Sequence, residues 1–157
     1  MTSEDTKDSP DIISCPPLVY LGALGLGLLM DWLFPAHWLL SESWQVAGGI
    51  LGATGTVIGF WGVHAFHRAG TNVRPDRPVT ALVTSGPFRY SRNPLYIALT
   101  VIYLGISLTG GSLWPLATLI PALTVVQCKI VRREEQYLES RFGNAYRAYK
   151  AQVHRWI

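Results

Sequence analysis

The stretch GPFRYSRNPLY, residues 86–96, decides how this chain is read, because it sets a basic, aromatic segment directly in front of an apolar run. Asn93 followed by Pro94 is a helix start: asparagine caps exposed amides, and proline fits the first turn without loss of a hydrogen bond. Arg89 and Arg92 then flank a helix N-terminus, where guanidinium forks and free amides both favour a carboxylate or phosphate. Arginines at a membrane edge also contact lipid headgroups, so the residues alone leave a ligand and a lipid contact both open. Tyr96, one turn inside the helix, points toward the same place.

The apolar run is one of four, about Pro16 to Phe34, Gln45 to Phe66, Pro94 to Leu108 and Leu113 to Val131. A bilayer core takes about 20 apolar residues per helix, fewer where a helix is short and buried. Composition agrees, since 49% of the 157 residues are hydrophobic and 15% charged, against roughly 25% charged in soluble domains. The expected fold is an all-α membrane protein of about four transmembrane helices with a C-terminal cytoplasmic helical segment, in one domain covering residues 1–157. Residues 1–14 carry Glu4, Asp5, Asp8 and Asp11 against Lys7. They lack the basic start of a secretory signal and are expected to form a flexible tail.

Charge orients the helices. Arg68, Arg74, Arg77, Arg89 and Arg92 lie between the second and third runs, and Lys129, Arg132, Arg133, Arg141, Arg147, Lys150 and Arg155 close the chain. The connections 35–43 and 109–112 contain neither Lys nor Arg. Because Lys and Arg are retained on the cytoplasmic side, both basic regions, both termini and any site they build are expected there. Trp32, Trp38, Trp44 and Trp114 mark the opposite ends, where indoles favour the headgroup layer.

Gly48, Gly52, Gly55, Gly59 and Gly62 share one face of the second helix and predict close packing of backbones, or the back wall of a cavity. His64 and His67 are one turn apart without a third ligand, and Cys15 and Cys128 fit no metal or redox spacing. No metal is expected, and no nucleic-acid partner. The loop 68–91 is rich in Pro and Gly, which predicts ordered turns, and loops of this length in small domains are usually functional. Its Ala81-Leu82-Val83-Thr84 stretch is expected to lie against the membrane surface or return toward it.

Beyond the fourth run, residues 129–142 read as a helix that extends the last span. At about 100° per residue, Val131, Leu138 and Phe142 form an apolar stripe with Glu135 on it and Glu134 at its margin. A carboxylate on a buried face requires a cation or hydrogen-bond donors. Either it pairs with Arg132, Arg133 or a loop arginine, or it faces a cationic ligand group. Gly143 is expected to end the helix as a left-handed cap, and Tyr146, Tyr149 and Trp156 to fold back over the membrane surface.

Arg92-Asn-Pro-Leu-Tyr96, an apolar hairpin, Arg133-Glu-Glu135 with Leu138, Phe142-Gly143, Tyr146, Tyr149 and Val153-His-Arg-Trp156 together resemble the integral-membrane methyltransferases typified by isoprenylcysteine carboxyl methyltransferase and phospholipid methyltransferases. The likeness covers roughly residues 70–157; the first two helices match only in character. It implies S-adenosylmethionine as cofactor, residues 68–157 as the cofactor-binding and catalytic half, and a lipophilic or small-molecule acceptor reached from the bilayer. Carried residue by residue, it implies Gly86, Arg89, Tyr90, Asn93, Pro94, Tyr96, Glu134 and Glu135 at the cofactor and Arg92, Arg133, Glu134 and Glu135 at the reaction. The isoprenylcysteine enzymes have histidine where this chain has Asn93, a departure that bears on the acceptor more than on the cofactor. No Rossmann-type Gly-x-Gly-x-x-Gly follows a strand, which excludes a soluble-type methyltransferase fold. The alternatives are a membrane reductase of related architecture using NADPH, or a non-catalytic membrane scaffold contacting lipids.

Overall fold

The computed structural model describes residues 16–37, 41–71 and 79–156. The acidic tail, Cys15, Trp38, Arg74 and Arg77 lie outside them. The described chain is helical: α1 (Pro16–Leu33), α2 (Glu42–Arg68), α3 (Pro94–Gly110) and α4 (Leu113–Val125). A π-helical turn, Val126–Val131, carries α4 into α5 (Arg132–Phe142), and α6 (Asn144–Gln152) follows. Three helical rods, α1, α2 and the continuous Leu113–Phe142, are long and apolar enough to cross a membrane; α3 is a shorter apolar helix.

α2 lies along α3, and α1 along α4. The glycine face of α2 explains the first contact. A Cβ at Gly48 would stand 2.7 Å from the Gly105 carbonyl oxygen, and one at Gly55 2.8 Å from the backbone of Ala98 and Ile102. On the partner helix a Cβ at Gly105 would stand 2.6 Å from the Gly52 nitrogen. Backbones this close gain dispersion contacts that larger side chains would forbid, which holds helices together where lipid supplies no hydrophobic drive. Between α1 and α4, Gly27 plays the same part against Pro115, whose Cα would lie 2.6 Å from an added Cβ. Tyrosines tie the middle of the bundle: the Tyr20 hydroxyl meets Thr100 at 2.9 Å and that of Tyr103 meets Thr118 at 2.9 Å.

The α3–α4 turn is made by Gly111, left-handed at φ 68°, and by Ser112, whose hydroxyl accepts from the Trp114 amide at 3.3 Å. That hydroxyl also donates to Asp31 at 2.7 Å, while Asp31 accepts from the Ala36 amide at 3.2 Å and pairs with His37 at 2.9 Å. This knot closes the end of the bundle opposite the arginines.

Two expected caps differ in the structure. Asn93 precedes α3 but makes no side-chain cap bond; its Nδ2 donates instead to the Arg155 carbonyl at 2.9 Å. The C-terminal strap takes the donor, and proline at the first turn leaves fewer amides to cap. Gly143 has the positive φ expected, 52°, but ψ is −121°, outside the left-handed helical region. Its carbonyl accepts from the Arg147 amide at 3.2 Å, so the glycine is a corner that feeds α6 directly.

Candidate active site

The loop after α2 is held down by aromatic and backbone contacts. Gly86, at φ 62°, brings the chain so close to α2 that a Cβ would stand 3.3 Å from both Ala65 and the Trp61 indole nitrogen. Phe88 then packs edge-on against Phe66 with ring centroids 5.2 Å apart, and Val83 is buried with Ala65 beside it. From the other side the Tyr149 hydroxyl donates to the Phe88 carbonyl at 2.7 Å and Arg141 Nε to the Val79 carbonyl at 2.8 Å. The Ala81–Val83 stretch thus becomes a wall between α2 and the C-terminal helices.

Behind that wall lies a cavity of about 470 Å³, within the roughly 300–1,000 Å³ typical of small-molecule sites. Its lining joins polar side chains, Arg92, Glu134, Glu135, Tyr137, Tyr146 and Tyr149, to apolar residues of α2 and α3, Gly59, Val63, Leu95, Ala98, Leu99 and Ile102. From Leu113, about 20 residues of helix cross a bilayer core, so Glu134 and Glu135 on α5 stand just past the spanning segment.

The two glutamates occupy different environments. Glu135 is buried and joins two guanidinium groups: Arg92 Nη1 at 2.8 Å and Arg155 in a fork at 2.9 and 2.6 Å. Pairing with Glu135 raises the pKa of Arg155. Two positive groups against one carboxylate leave net positive charge, and Arg92 Nε is buried with no hydrogen-bond partner among the described residues. Such an orphan donor is costly unless something accepts from it. Glu134 accepts from the Tyr96 hydroxyl at 2.7 Å. Burial pushes its pKa up to about 7, opposed by the Tyr96 bond and reinforced by the charge of Glu135. Burial also raises Tyr146 and Tyr149, which form an edge-on pair 6.2 Å apart and stay neutral.

A C-terminal strap adjoins the polar residues. The Arg92 amide donates to the His154 carbonyl at 3.0 Å, Ser91 Oγ and Asn93 Nδ2 both donate to the Arg155 carbonyl, and Trp156 Nε1 reaches Gln127 at 3.0 Å. Gln127 lies in the π-helical turn, a deformation frequent at functional sites.

Of the residues singled out from the sequence, the fold gathers Arg92, Asn93, Pro94, Tyr96, Glu134 and Glu135 around the cavity. Gly86, Arg89, Tyr90 and Arg133 are not among its lining. Arg89 and Arg133 are exposed, and Tyr90 packs beside Trp61 at 6.2 Å. Sequence reasoning gave no site role to Arg155, Tyr146 or Tyr149. Their signal was the aromatic and basic tail itself, which reads equally well as a membrane-surface segment.

A bundle of membrane-length apolar helices with a cavity at its basic end defines an integral membrane protein with a candidate small-molecule site. Residues 44–145 match the family model described as phospholipid methyltransferase. The chain belongs to that family and is a membrane methyltransferase. The match begins at the start of α2, which the sequence likeness left out, and stops short of the strap. An uncharacterized protein of Haemophilus influenzae is 45% identical over 64 residues, 40% of this chain and 100% of the relative. No solved structure matches the chain.

Proposed function

We propose that this chain transfers the methyl group of S-adenosylmethionine to a lipophilic or small nucleophile, a carboxylate, thiol or amine, at the basic end of the bundle. The observation that carries the reading is the presence of both charges in the lining of one cavity: Arg92, with an Nε that has no partner among the described residues, and Glu134. An amino-acid zwitterion matches that arrangement. Arg92 would hold the cofactor's carboxylate, Glu134 its ammonium, and the rings of Phe88, Tyr146 and Tyr149 the adenosyl group. The bound cofactor supplies a methyl carbon on a sulfonium, open to direct displacement. The chain's part is to orient the acceptor behind that carbon and to exclude water, with Glu135 and Arg155 fixing Arg92 and the loop wall sealing the side.

The distribution of Lys and Arg supports a cytoplasmic position for this end and for both termini. Asn93 supports no prenylated-cysteine acceptor in particular: it donates to a backbone carbonyl, a role asparagine fills without titrating near neutrality. Titration calorimetry with S-adenosylhomocysteine on detergent-solubilised protein tests the reading. Saturable binding that Arg92→Ala weakens is expected; an absence of heat at high-micromolar ligand overturns it.

A further inference from the structure

Val79 is bound at both of its backbone groups by side chains of one helix. Arg141 Nε donates to the Val79 carbonyl at 2.8 Å, and the Val79 amide donates to the Tyr137 hydroxyl at 3.4 Å. Tyr137 and Arg141 stand one turn apart on α5. Glu134 and Leu138 share their face, because residues three, four and seven apart lie on one side of a helix. Glu134, Tyr137 and Leu138 line the cavity, and so do Val79, Ala81, Leu82 and Val83 from across the gap. Arg141 is exposed and outside the lining. The segment is also tied at its base, where the Thr80 amide donates to Thr71 Oγ1 at 3.0 Å and Thr80 Oγ1 to the Gly70 carbonyl at 3.3 Å. Those bonds fix it to the end of α2 and leave its distance from α5 to Tyr137 and Arg141.

We infer that Arg141 latches the 79–83 segment onto the helix face that carries Glu134, and so sets the spacing between loop and helix around whatever the cavity holds. It is a positioning residue, acting through the backbone of Val79. A cation on a carbonyl oxygen fixes the main chain itself, and such charge-assisted bonds are the stronger ones. A short segment held by side-chain bonds can open locally while the helices beside it stay folded. Opening here would part the loop from α5 and give a ligand its way in and out, as loop motions do in many enzymes. The inference rests on the methyltransferase reading only for the ligand that tests it.

The test follows hydrogen–deuterium exchange of the full chain in mild detergent by mass spectrometry, beside calorimetry with S-adenosylhomocysteine. Arg141→Met keeps an unbranched side chain and removes the donor. It should speed exchange at 79–83 by about five- to tenfold, the worth of one charge-assisted bond, and leave α2 and α3 as they were. Affinity for S-adenosylhomocysteine should weaken by about three- to tenfold. Arg141→Lys, which keeps a cationic donor on a flexible stem, should restore part of both. Arg147→Met removes another exposed cation, one that pairs with Glu139 on the same helix, and should change neither. Unchanged exchange at 79–83 in Arg141→Met overturns the inference. So does faster exchange spread through α5 and α6, which marks an anchor of the helices, and so does a loosened loop with wild-type affinity, which marks a structural bond alone. If Arg141→Met does not fold, Arg141→Gln is judged by the same results. Should the wild type bind no S-adenosylhomocysteine, the proposed cofactor falls separately, and exchange at 79–83, read without ligand, still decides the latch.

Discussion

The two ends of the bundle both carry a carboxylate, a hydroxyl and a basic side chain, yet they are built to opposite effect. At the end formed by α1, α3 and α4, Asp31 receives Ser112, the Ala36 amide and His37. These bonds join chain segments distant in sequence and end there. At the basic end the bonds stop short of completion. Among the described residues Arg92 Nε has no partner, two guanidinium groups share Glu135, and Glu134 stands in the cavity accepting from Tyr96. A polar cluster satisfied by its own neighbours is structure, and one that leaves a buried donor over is a place for something else.

That contrast is broken most severely at Glu135. Its removal leaves Arg92, only 9% exposed along its side chain, facing Arg155 with no anion between them. Glu135→Ala should cost about 3–5 kcal/mol of stability, as loss of one partner of a buried pair does, and methyl transfer should vanish with it. Thermal unfolding in detergent measures the first effect. A variant with wild-type melting would mean that the arginines are already neutralised elsewhere.

Arg92→Ala should be milder for the fold, because Arg155 still pairs with Glu135. It should weaken S-adenosylhomocysteine by roughly 10- to 100-fold, the worth of a charge-assisted bond, as read by calorimetry. Next comes Glu134→Gln, expected to weaken the same ligand by about tenfold and to alter its pH dependence. The proton on Glu134 is held up to about pH 7 in the free protein, and an ammonium group needs the ionised carboxylate. Wild-type affinity should therefore rise as pH climbs toward about 7 and level off above it, whereas Glu134→Gln should be flat there. For the free protein the sign is reversed. Between the ordinary glutamate value and about 7 the native state holds a proton that the unfolded chain has released, so this group's contribution to stability falls as pH rises.

The helices were legible because lipid imposes length and composition on them: the apolar runs starting at Pro16, Pro94 and Leu113 begin where α1, α3 and α4 begin. The glycine face of α2 was legible for a related reason, since small residues at helical spacing have few uses other than close approach. Periodicity also placed Glu135, the buried residue of α5, on its inner side, with Leu138 and Phe142 half-buried. Periodicity left the partner of that buried charge open among Arg132, Arg133 and a loop arginine; the loop arginine Arg92 is one partner found, and the other was not foreseen. Arg132 and Arg133, adjacent in sequence, point outward, while Arg155 arrives from 20 residues away after the Gly143 corner turns the chain back. Asn93 shows the same limit. Its position before a proline has a local explanation, the cap, and the strap carbonyl that it actually binds is 62 residues distant.

The smallest expected effect tests the satisfied end. Asp31→Asn keeps an acceptor for the Ser112 hydroxyl or the Ala36 amide but removes the charge that His37 pairs with. That pair is half-open to solvent on the histidine side, with 40% of its side chain exposed, and pairs of this kind contribute little to stability. Loss of charge assistance on the Ser112 bond acts in the same direction, so a small fall in melting temperature is expected, less than for any variant above. The S-adenosylhomocysteine affinity should stay at the wild-type value, because the stretch of α3 from Ile102, where the cavity lining ends, to Gly110 separates the knot from the cavity, about 12 Å at helical rise. Should affinity fall along with melting, the two ends would be coupled through α3. The polar knot would then be part of the site's support and no longer only a closure of the bundle.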